Sequence, residues 1–272
     1  MTVPLPGAGP APVAPAPVAP APLAPAPGLL AALAAVYTGE LSRAKAARGP
    51  LLFVATLQSV GIALLLRGVV DEGTRSTSQQ VVAGSTVLVV AFVALNLLAQ
   101  RLGALRASGG LDRWAALPVP PAAVVLGIAA SYATFTLPGS LVTAVFGCLL
   151  YGLPLTHLWV LLLVLPLAGA SLAGLGALLG LLAPRPELAT LAGQLGMSAV
   201  LFLAIIPADR LPVVLQVLRA LLPSTYAADA LAGALGPTID VGALLAQLVV
   251  CPVVAVGSLA VASVAFRRAV RA

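Results

Sequence analysis

Charged side chains are scarce in this sequence, and several of them cluster in one segment, Gln100–Pro121. Only 8% of the 272 residues are Asp, Glu, Lys or Arg, yet this segment carries four of them: Arg101, Arg106, Asp112 and Arg113. Trp114 follows directly. Arginines, a carboxylate and a flat ring suit charge-assisted hydrogen bonds and stacking against another protein. We interpret the segment as a docking surface for a soluble partner. The alternative is an ordinary basic loop with Trp114 at a membrane interface.

The sequence contains no residue pattern typical of an active site. His157 is the single histidine, and the two cysteines, Cys148 and Cys251, lie in separate apolar runs. No GxxxxGK[ST] loop occurs, and Lys45 is the only lysine. We therefore expect no catalytic residue, cofactor site or metal site in this chain. If ATP drives the protein, ATP and its Mg²⁺ bind to another chain.

The elements that must position this segment are apolar and long. Hydrophobic residues make up 61% of the chain, and the mean hydropathy is +1.11. Apolar runs of about 20 residues are typical of transmembrane helices. The sequence therefore predicts an all-α integral membrane protein with six spans, at about Leu51–Val70, Val81–Leu98, Pro121–Leu150, Leu158–Leu182, Leu188–Ile206 and Val241–Phe266. Pro138 and Gly139 are expected to kink or break the third span.

The distribution of charge predicts the orientation. With both termini in the cytosol, ten of the fourteen basic residues lie inside and three of the eight acidic residues do, which gives about +7 inside and −1 outside. The excess of basic residues is then explained by the orientation of the spans, and no nucleic-acid partner is expected. The partner that the spans require is the lipid bilayer. The abundance of Arg, Ala, Gly and Pro is typical of GC-rich bacteria, which favours the inner membrane of a bacterial cell.

Three segments lie outside the spans. Residues 1–27 form a Pro/Ala tract, which we predict to be disordered. Residues 28–49 combine an apolar face with basic residues, and predict either an amphipathic interfacial helix or the flank of the first span. Residues 208–236 are interrupted too often by charges and prolines for a span, and predict short re-entrant outer helices. The remaining loop, 99–121, is the predicted cytosolic contact.

Two motifs carry a resemblance to a known family. The first reads Arg106-x-x-Gly109-x-Leu111-Asp112, followed by Leu117-Pro118-Val119 and Val125-Leu126-Gly127. The second, before the last span, is Leu222-Pro223-Ser224-Thr225-Tyr226-Ala227. With six spans and an entry helix, residues 28–272 resemble the type-2 permease family of ATP-binding-cassette exporters.

The resemblance implies a permease that pairs with an ATP-binding-cassette ATPase subunit and with a second, identical or homologous permease. It places contact with the ATPase at Arg43, Arg48, Arg101, Arg106, Leu111, Asp112, Arg113 and Trp114. It places the substrate path along the permease–permease interface, mainly on the second and fifth spans. The outer gate would contain Pro223, Thr225 and Tyr226.

Polar side chains within three spans agree with such a path. The candidate path residues are Gln58, Ser59, Ser85, Asn96, Gln194 and Ser198, together with the apolar Met197 and Phe202 of the fifth span. For any single residue, hydrogen bonding between helices is the alternative. Small residues around Gly176-x-x-x-Gly180 indicate close helix packing.

The function expected from the sequence is an ATP-driven exporter subunit, without an ATPase site of its own, that works by alternating access. A path without charges favours a hydrophobic or amphipathic cargo, such as a drug-like compound or a lipid. The alternatives are a stand-alone carrier or channel and a membrane anchor without transport. The absence of a carboxylate in mid-span argues against an ion-coupled carrier.

Overall fold

The computed structural model describes residues 28–43, 45–69, 75–206 and 211–271. Within them, all regular elements are helices. We name them α1 (Leu29–Arg43), α2 (Lys45–Val69), α3 (Arg75–Ala107), α4 (Gly110–Ala115), α5 (Pro121–Tyr151), α6 (Leu158–Leu182), α7 (Pro186–Ile205), α8 (Val213–Leu221), α9 (Pro223–Ala234) and α10 (Val241–Arg271). The predicted disorder of residues 1–27 lies outside the described residues.

Six helices are long and apolar enough to cross a membrane: α2, α3, α5, α6, α7 and α10. The all-α membrane fold and the six predicted spans are therefore confirmed. Their bounds differ mainly where a helix outlasts its apolar run, as in α3, which begins before Val81 and ends after Leu98. The third span is continuous through Pro138 rather than broken there.

The spans run alternately between two ends of the bundle. We call the end that carries α4 the basal end and the end that carries α8 and α9 the apical end. Side-chain contacts fix this alternation: Arg106 of α3 reaches the end of α6 at the basal end, and Gln80 of α3 reaches the end of α7 at the apical end. α1 and the last turns of α10 both lie at the basal end.

α3 is the central helix, with 89% of its most apolar stretch buried by α2, α5, α6, α7 and α9. Its middle, Ala91–Leu97, is π-helical. Gly176 of α6 lies so close to this turn that an added Cβ would stand 2.6 Å from the carbonyl oxygen of Leu95. Small residues on α6 therefore let it pack directly on the α3 main chain, as the Gly176-x-x-x-Gly180 spacing predicted.

The segment 28–49 is divided between α1 and the start of α2. α1 ends at Arg43, and α2 begins at Lys45 and runs through Pro50 into the first span. α1 packs on α5, where Val36 contacts Gly127 and the Tyr37 hydroxyl donates a hydrogen bond to Thr134 Oγ1 at 3.2 Å. The first part of the segment is thus a separate helix, and its last part belongs to the helix of the first span.

The predicted loop 99–121 is mostly helical. α3 continues to Ala107, and Gly109 then turns the chain with a φ of +66°, a conformation that glycine adopts without strain. The short α4 follows. Pro120 is the N-cap of α5 and Pro121 is its first residue, where a proline lacks only an N–H that would have no partner.

The apical segment forms a helical hairpin that enters the bundle. α9 is mostly buried and contacts α3, α6, α7 and α10. Its first residue, Pro223, lies deep, because its carbonyl oxygen is 3.6 Å from the thiol of Cys251, about 15 Å along α10 from that helix's apical start. Two short helices, α8 and α9, thus lie in the segment for which short helices were predicted, and their re-entrance from the outer side stays a prediction.

Candidate functional site

A groove of about 510 Å³ opens at the basal end around α4. Four of the predicted contact residues line it: Arg43, Arg101, Arg113 and Trp114. The guanidinium of Arg43 stands 5.8 Å from the centre of the Trp114 ring, within cation–π range. Three elements, α1, α3 and α4, thus present arginines to one polar groove. Such a groove is suited to carboxylates on a partner surface.

Glu40 connects two of the arginines that line this groove. Its side chain is buried, and Oε1 lies 3.5 Å from Arg43 Nη1 and 3.6 Å from Arg101 Nη2. One carboxylate therefore links α1 to α3 and orients two of the groove's arginines. The sequence reasoning did not select Glu40, although a single acid among the basic residues of this segment was a signal.

The other predicted contact residues are placed differently. Leu111 is buried in the main core and anchors α4, whereas Asp112 is exposed in the first turn of α4. Arg106 points away from the groove and donates hydrogen bonds to the carbonyl oxygens of Leu181 and Ala183 at the end of α6. The side chain of Arg48 lies outside the described part of the structure.

The residues predicted to line a substrate path do not share one surface of the chain. Ser59, Ser85 and Asn96 are buried, and Asn96 Oδ1 accepts a hydrogen bond from Gln100 Nε2 at 3.0 Å. Gln58 of α2 is half-buried. The physical reason is the central position of α3, which leaves little of it at the surface.

On α7 the predicted path residues lie at or near the surface. Gln194 and Phe202 are exposed, and Met197 and Ser198 are half-buried. With them α7 exposes a row of leucines, Leu188, Leu191 and Leu195. Within the described residues, Gln194, Phe202 and the three leucines are not covered by another helix, so this part of α7 is open to lipid, to substrate or to another subunit.

A largely buried polar cluster joins four helices at the apical end. Arg219 of α8 is 7% exposed, pairs with the carboxylate of Asp229 on α9, and donates to the carbonyl oxygens of Leu203 (2.6 Å) and Ile206 (2.8 Å) at the end of α7. Gln80 of α3 completes the cluster. Its Nε2 lies 3.1 Å from Asp229 Oδ1 and 2.7 Å from the carbonyl oxygen of Ala204. We call Gln80, Arg219 and Asp229 the apical cluster.

Two of the predicted gate residues lie in the first turn of α9 and hydrogen-bond back to the end of α8 and to Leu222. The buried Thr225 donates from Oγ1 to the carbonyl oxygens of Arg219 and Leu222, both at 2.7 Å. The hydroxyl of Tyr226 donates to the carbonyl oxygen of Ala220 at 2.9 Å. Pro223 starts α9 and is buried. These residues therefore shape the hairpin on which the apical cluster rests.

The sequence reasoning missed the apical cluster, because it treated Arg219 and Asp229 as interruptions of a hydrophobic run. Ten residues separate them, and Gln80 is far away in the chain, so no local spacing reveals the cluster. The available signal was their isolation, since a charge in an apolar segment needs a partner.

The sequence of the chain was compared with known proteins and with models of protein families. No curated protein matches the chain significantly. A family model does: the model of the ABC-2 type transporter matches residues 35–236, which include α2, α3, α4, α9 and the groove at the basal end. This match covers most of the chain, and with the six spans it leads to one conclusion: the chain belongs to the ABC-2 type transporter family, as a multi-pass membrane component.

Proposed function

We propose that this chain is the permease subunit of an ATP-driven exporter in a bacterial inner membrane. A separate ATP-binding subunit, carrying ATP and Mg²⁺, would power it, and a second permease, identical or homologous, would complete the complex. The observation that carries the proposal is the basal groove, where Arg43, Arg101, Arg113 and Trp114 converge beside the exposed α4.

The basal end is the cytosolic end in this proposal. The charge distribution supports it, because the arginines at this end (Arg43, Arg101, Arg106, Arg113, Arg267 and Arg268) outnumber the acids there, as the positive-inside rule requires. An ATPase in the cytosol would then meet α4 directly.

The connections of α4 support a mechanical role. Leu111 anchors α4 in the core, and Glu40 ties α1 to α3 through Arg101. A displacement of α4 would therefore act on α3, which is packed against most other spans. At its apical end, α3 is hydrogen-bonded through Gln80 to α7 and α9. One helix thus joins the proposed ATPase contact to the proposed gate.

Alternating access follows from this arrangement if ATP binding favours one position of α4. A ligand shifts a conformational equilibrium only by its difference in affinity for the two states, and an ATPase that closes on ATP supplies such a difference. The hairpin of α8 and α9 would then open when α3 changes its contact with the apical cluster.

The cargo we propose is hydrophobic or amphipathic. The α7 face offers Gln194, Ser198 and Phe202 among exposed leucines, which is suited to a mostly apolar molecule with a few polar groups. A second permease packed against this face would enclose the path. Efficient transport of a small, highly charged solute by the purified complex would contradict this cargo class.

The test is isolation of the tagged protein from its native membrane in mild detergent, with ATP hydrolysis measured in the eluate. We expect an ATPase to co-purify with the unaltered chain. Asp112→Ala combined with Arg113→Ala should reduce the co-purified activity about tenfold for each charged side chain removed, since a hydrogen bond to a charged group contributes about 1.5–3 kcal/mol. Both residues are exposed, so folding should be unaffected.

Arg75→Ala is the matched control, because it removes an exposed arginine at the apical end. It should leave the co-purified ATPase unchanged. An equal loss in both variants would mean that the contact is not at α4. A stable chain that never brings an ATPase with it would instead favour a stand-alone carrier or channel.

A further inference from the structure

A second groove at the basal end differs in character from the one around α4. It measures about 520 Å³ and lies between the end of α6 and the last turns of α10. Its wall is apolar, and two arginines stand at its rim. The lining consists of Arg106, Leu181, Leu182, Ala260, Val261, Val264, Ala265, Arg268 and Ala269.

The apolar wall lies on two helices that are long and apolar enough to cross a membrane, α6 and α10. Leu182, Val261 and Val264 are 60%, 53% and 48% exposed, so the described residues leave all three open. The wall extends from Arg268 back to Ala260, about 12 Å along α10 toward mid-membrane. Large apolar side chains exposed at this depth require an apolar neighbour.

The two arginines lie at the basal ends of the helices that could span a membrane. Leu182 is the last residue of the fourth span, and Arg106 binds the carbonyl oxygens of Leu181 and Ala183 at that point. These bonds hold the Arg106 guanidinium at the mouth of the groove. Its remaining N–H groups can bind another acceptor, because a guanidinium carries five donors.

Neither arginine has a carboxylate partner within the described part of the chain. The ion pairs there join Glu40 to Arg43 and to Arg101, and Arg219 to Asp229. No acidic residue lines the groove. Two unpaired positive charges at the membrane boundary, with an apolar wall running inward, complement an anionic headgroup and its acyl chains.

We propose that this groove binds a phospholipid with an anionic headgroup, the phosphate between Arg106 and Arg268 and the acyl chains along Leu182, Val261 and Val264. The site is separate from the proposed ATPase contact. It depends on the membrane-spanning fold alone, and not on transport or on its direction. It also gives Arg106 a role other than the contact with an ATPase.

The experiment is native mass spectrometry of the full chain, titrated with phosphatidylglycerol or with phosphatidylcholine of the same acyl chains. We expect phosphatidylglycerol to bind several-fold more tightly. Arg268→Gln should weaken its binding about fivefold, since one arginine near the membrane surface contributes about 1 kcal/mol. Phosphatidylcholine binding should change little.

Arg267→Gln is the matched control. It removes the same charge from the adjacent, exposed position of α10, which does not line the groove. A second pair tests the wall: Val264→Trp fills the groove and should block the lipid, whereas Val256→Trp, on the exposed surface of α10 outside the groove, should not.

Several outcomes would overturn the proposal. Equal affinity for both lipids would exclude recognition of the anionic headgroup. Equal loss in Arg267→Gln and Arg268→Gln would show a general effect of surface charge. Displacement of the lipid by soluble glycerol phosphate at the same concentration would indicate a site for a soluble phosphate. If Arg268→Gln instead releases a co-purifying ATPase without changing lipid binding, the groove is a protein contact.

Discussion

Single residues carry much of the organisation of this protein because charges are so few. Glu40 orients two arginines of the basal groove, and Arg219 satisfies a carboxylate and two carbonyl oxygens at the other end. On the solvent-exposed surface of a protein, such ion pairs contribute little to the free energy of unfolding. Here both Glu40 and Arg219 are buried, and removing either one leaves the groups around it without their partner of opposite charge.

Arg219 provides the first prediction at this scale. Arg219→Ala removes the cation beside Asp229, which keeps only its hydrogen bond from Gln80, and removes the donor to the carbonyl oxygens of Leu203 and Ile206. We therefore expect the free energy of unfolding in detergent to fall by about 3 kcal/mol. Asp229→Ala should cost less, because Arg219 keeps its two carbonyl partners. Thermal unfolding of the purified variants measures both. Arg75→Ala, an exposed arginine, should have no effect, and equal stability of all three variants would disprove the role of the cluster.

At the scale of elements, the contact between α6 and α3 sets the positions of the other spans. α6 approaches the α3 main chain through glycine, and it also packs along α10. The π-helical turn of α3 lies at this contact. In other proteins, π-helical turns are often found at functional sites. A change in that turn would alter the contacts of α3 with several helices at once.

Gly176 tests this packing. Gly176→Ala places a Cβ within 2.6–2.7 Å of the carbonyl oxygens of Leu95 and Ala94, so the two helices must separate. We expect the free energy of unfolding to fall by about 2 kcal/mol, as in other overpacked cores.

Gly257 is the matched control for Gly176. It is also a helical glycine of a span, but an added Cβ there meets no atom within 4 Å. Gly257→Ala should be neutral or slightly stabilising, by under about 1 kcal/mol. Thermal unfolding of both variants in one detergent is the measurement. Equal effects would show that helix propensity, and not the α6–α3 contact, decides the result.

At the scale of the whole molecule, the proposed orientation has a direct consequence for labelling. With the basal end in the cytosol, a membrane-impermeant thiol reagent added to intact cells should label Leu155→Cys, an exposed position in the apical loop before α6. It should reach Ser108→Cys, exposed beside α4, only after the membrane is opened. Cys148 and Cys251 are both buried and should give no background. The reverse pattern would place α4 outside and remove the proposed ATPase contact.

The sequence by itself determined the fold class, the six spans and the family. Hydrophobic run length reveals spans because an unsatisfied main chain is so costly in lipid that each span must be a helix. Local motifs around Gly109 and Pro223 also indicated the α4 region and the α8–α9 hairpin, because turn-forming residues act on the chain locally. Four of the groove residues were also named, because charges in a mostly apolar chain stand out.

Only the tertiary structure decided which side chains meet. In the structure, Arg106 contacts the end of α6 instead of the α4 groove, and Ser85 and Asn96 are buried because α3 is central. Gln80, Arg219 and Asp229 meet in one cluster. The structure also revealed the groove between Arg106 and Arg268. Such contacts depend on the rotation and neighbours of each helix, which are set by close approaches such as that of Gly176 and are not encoded in hydropathy.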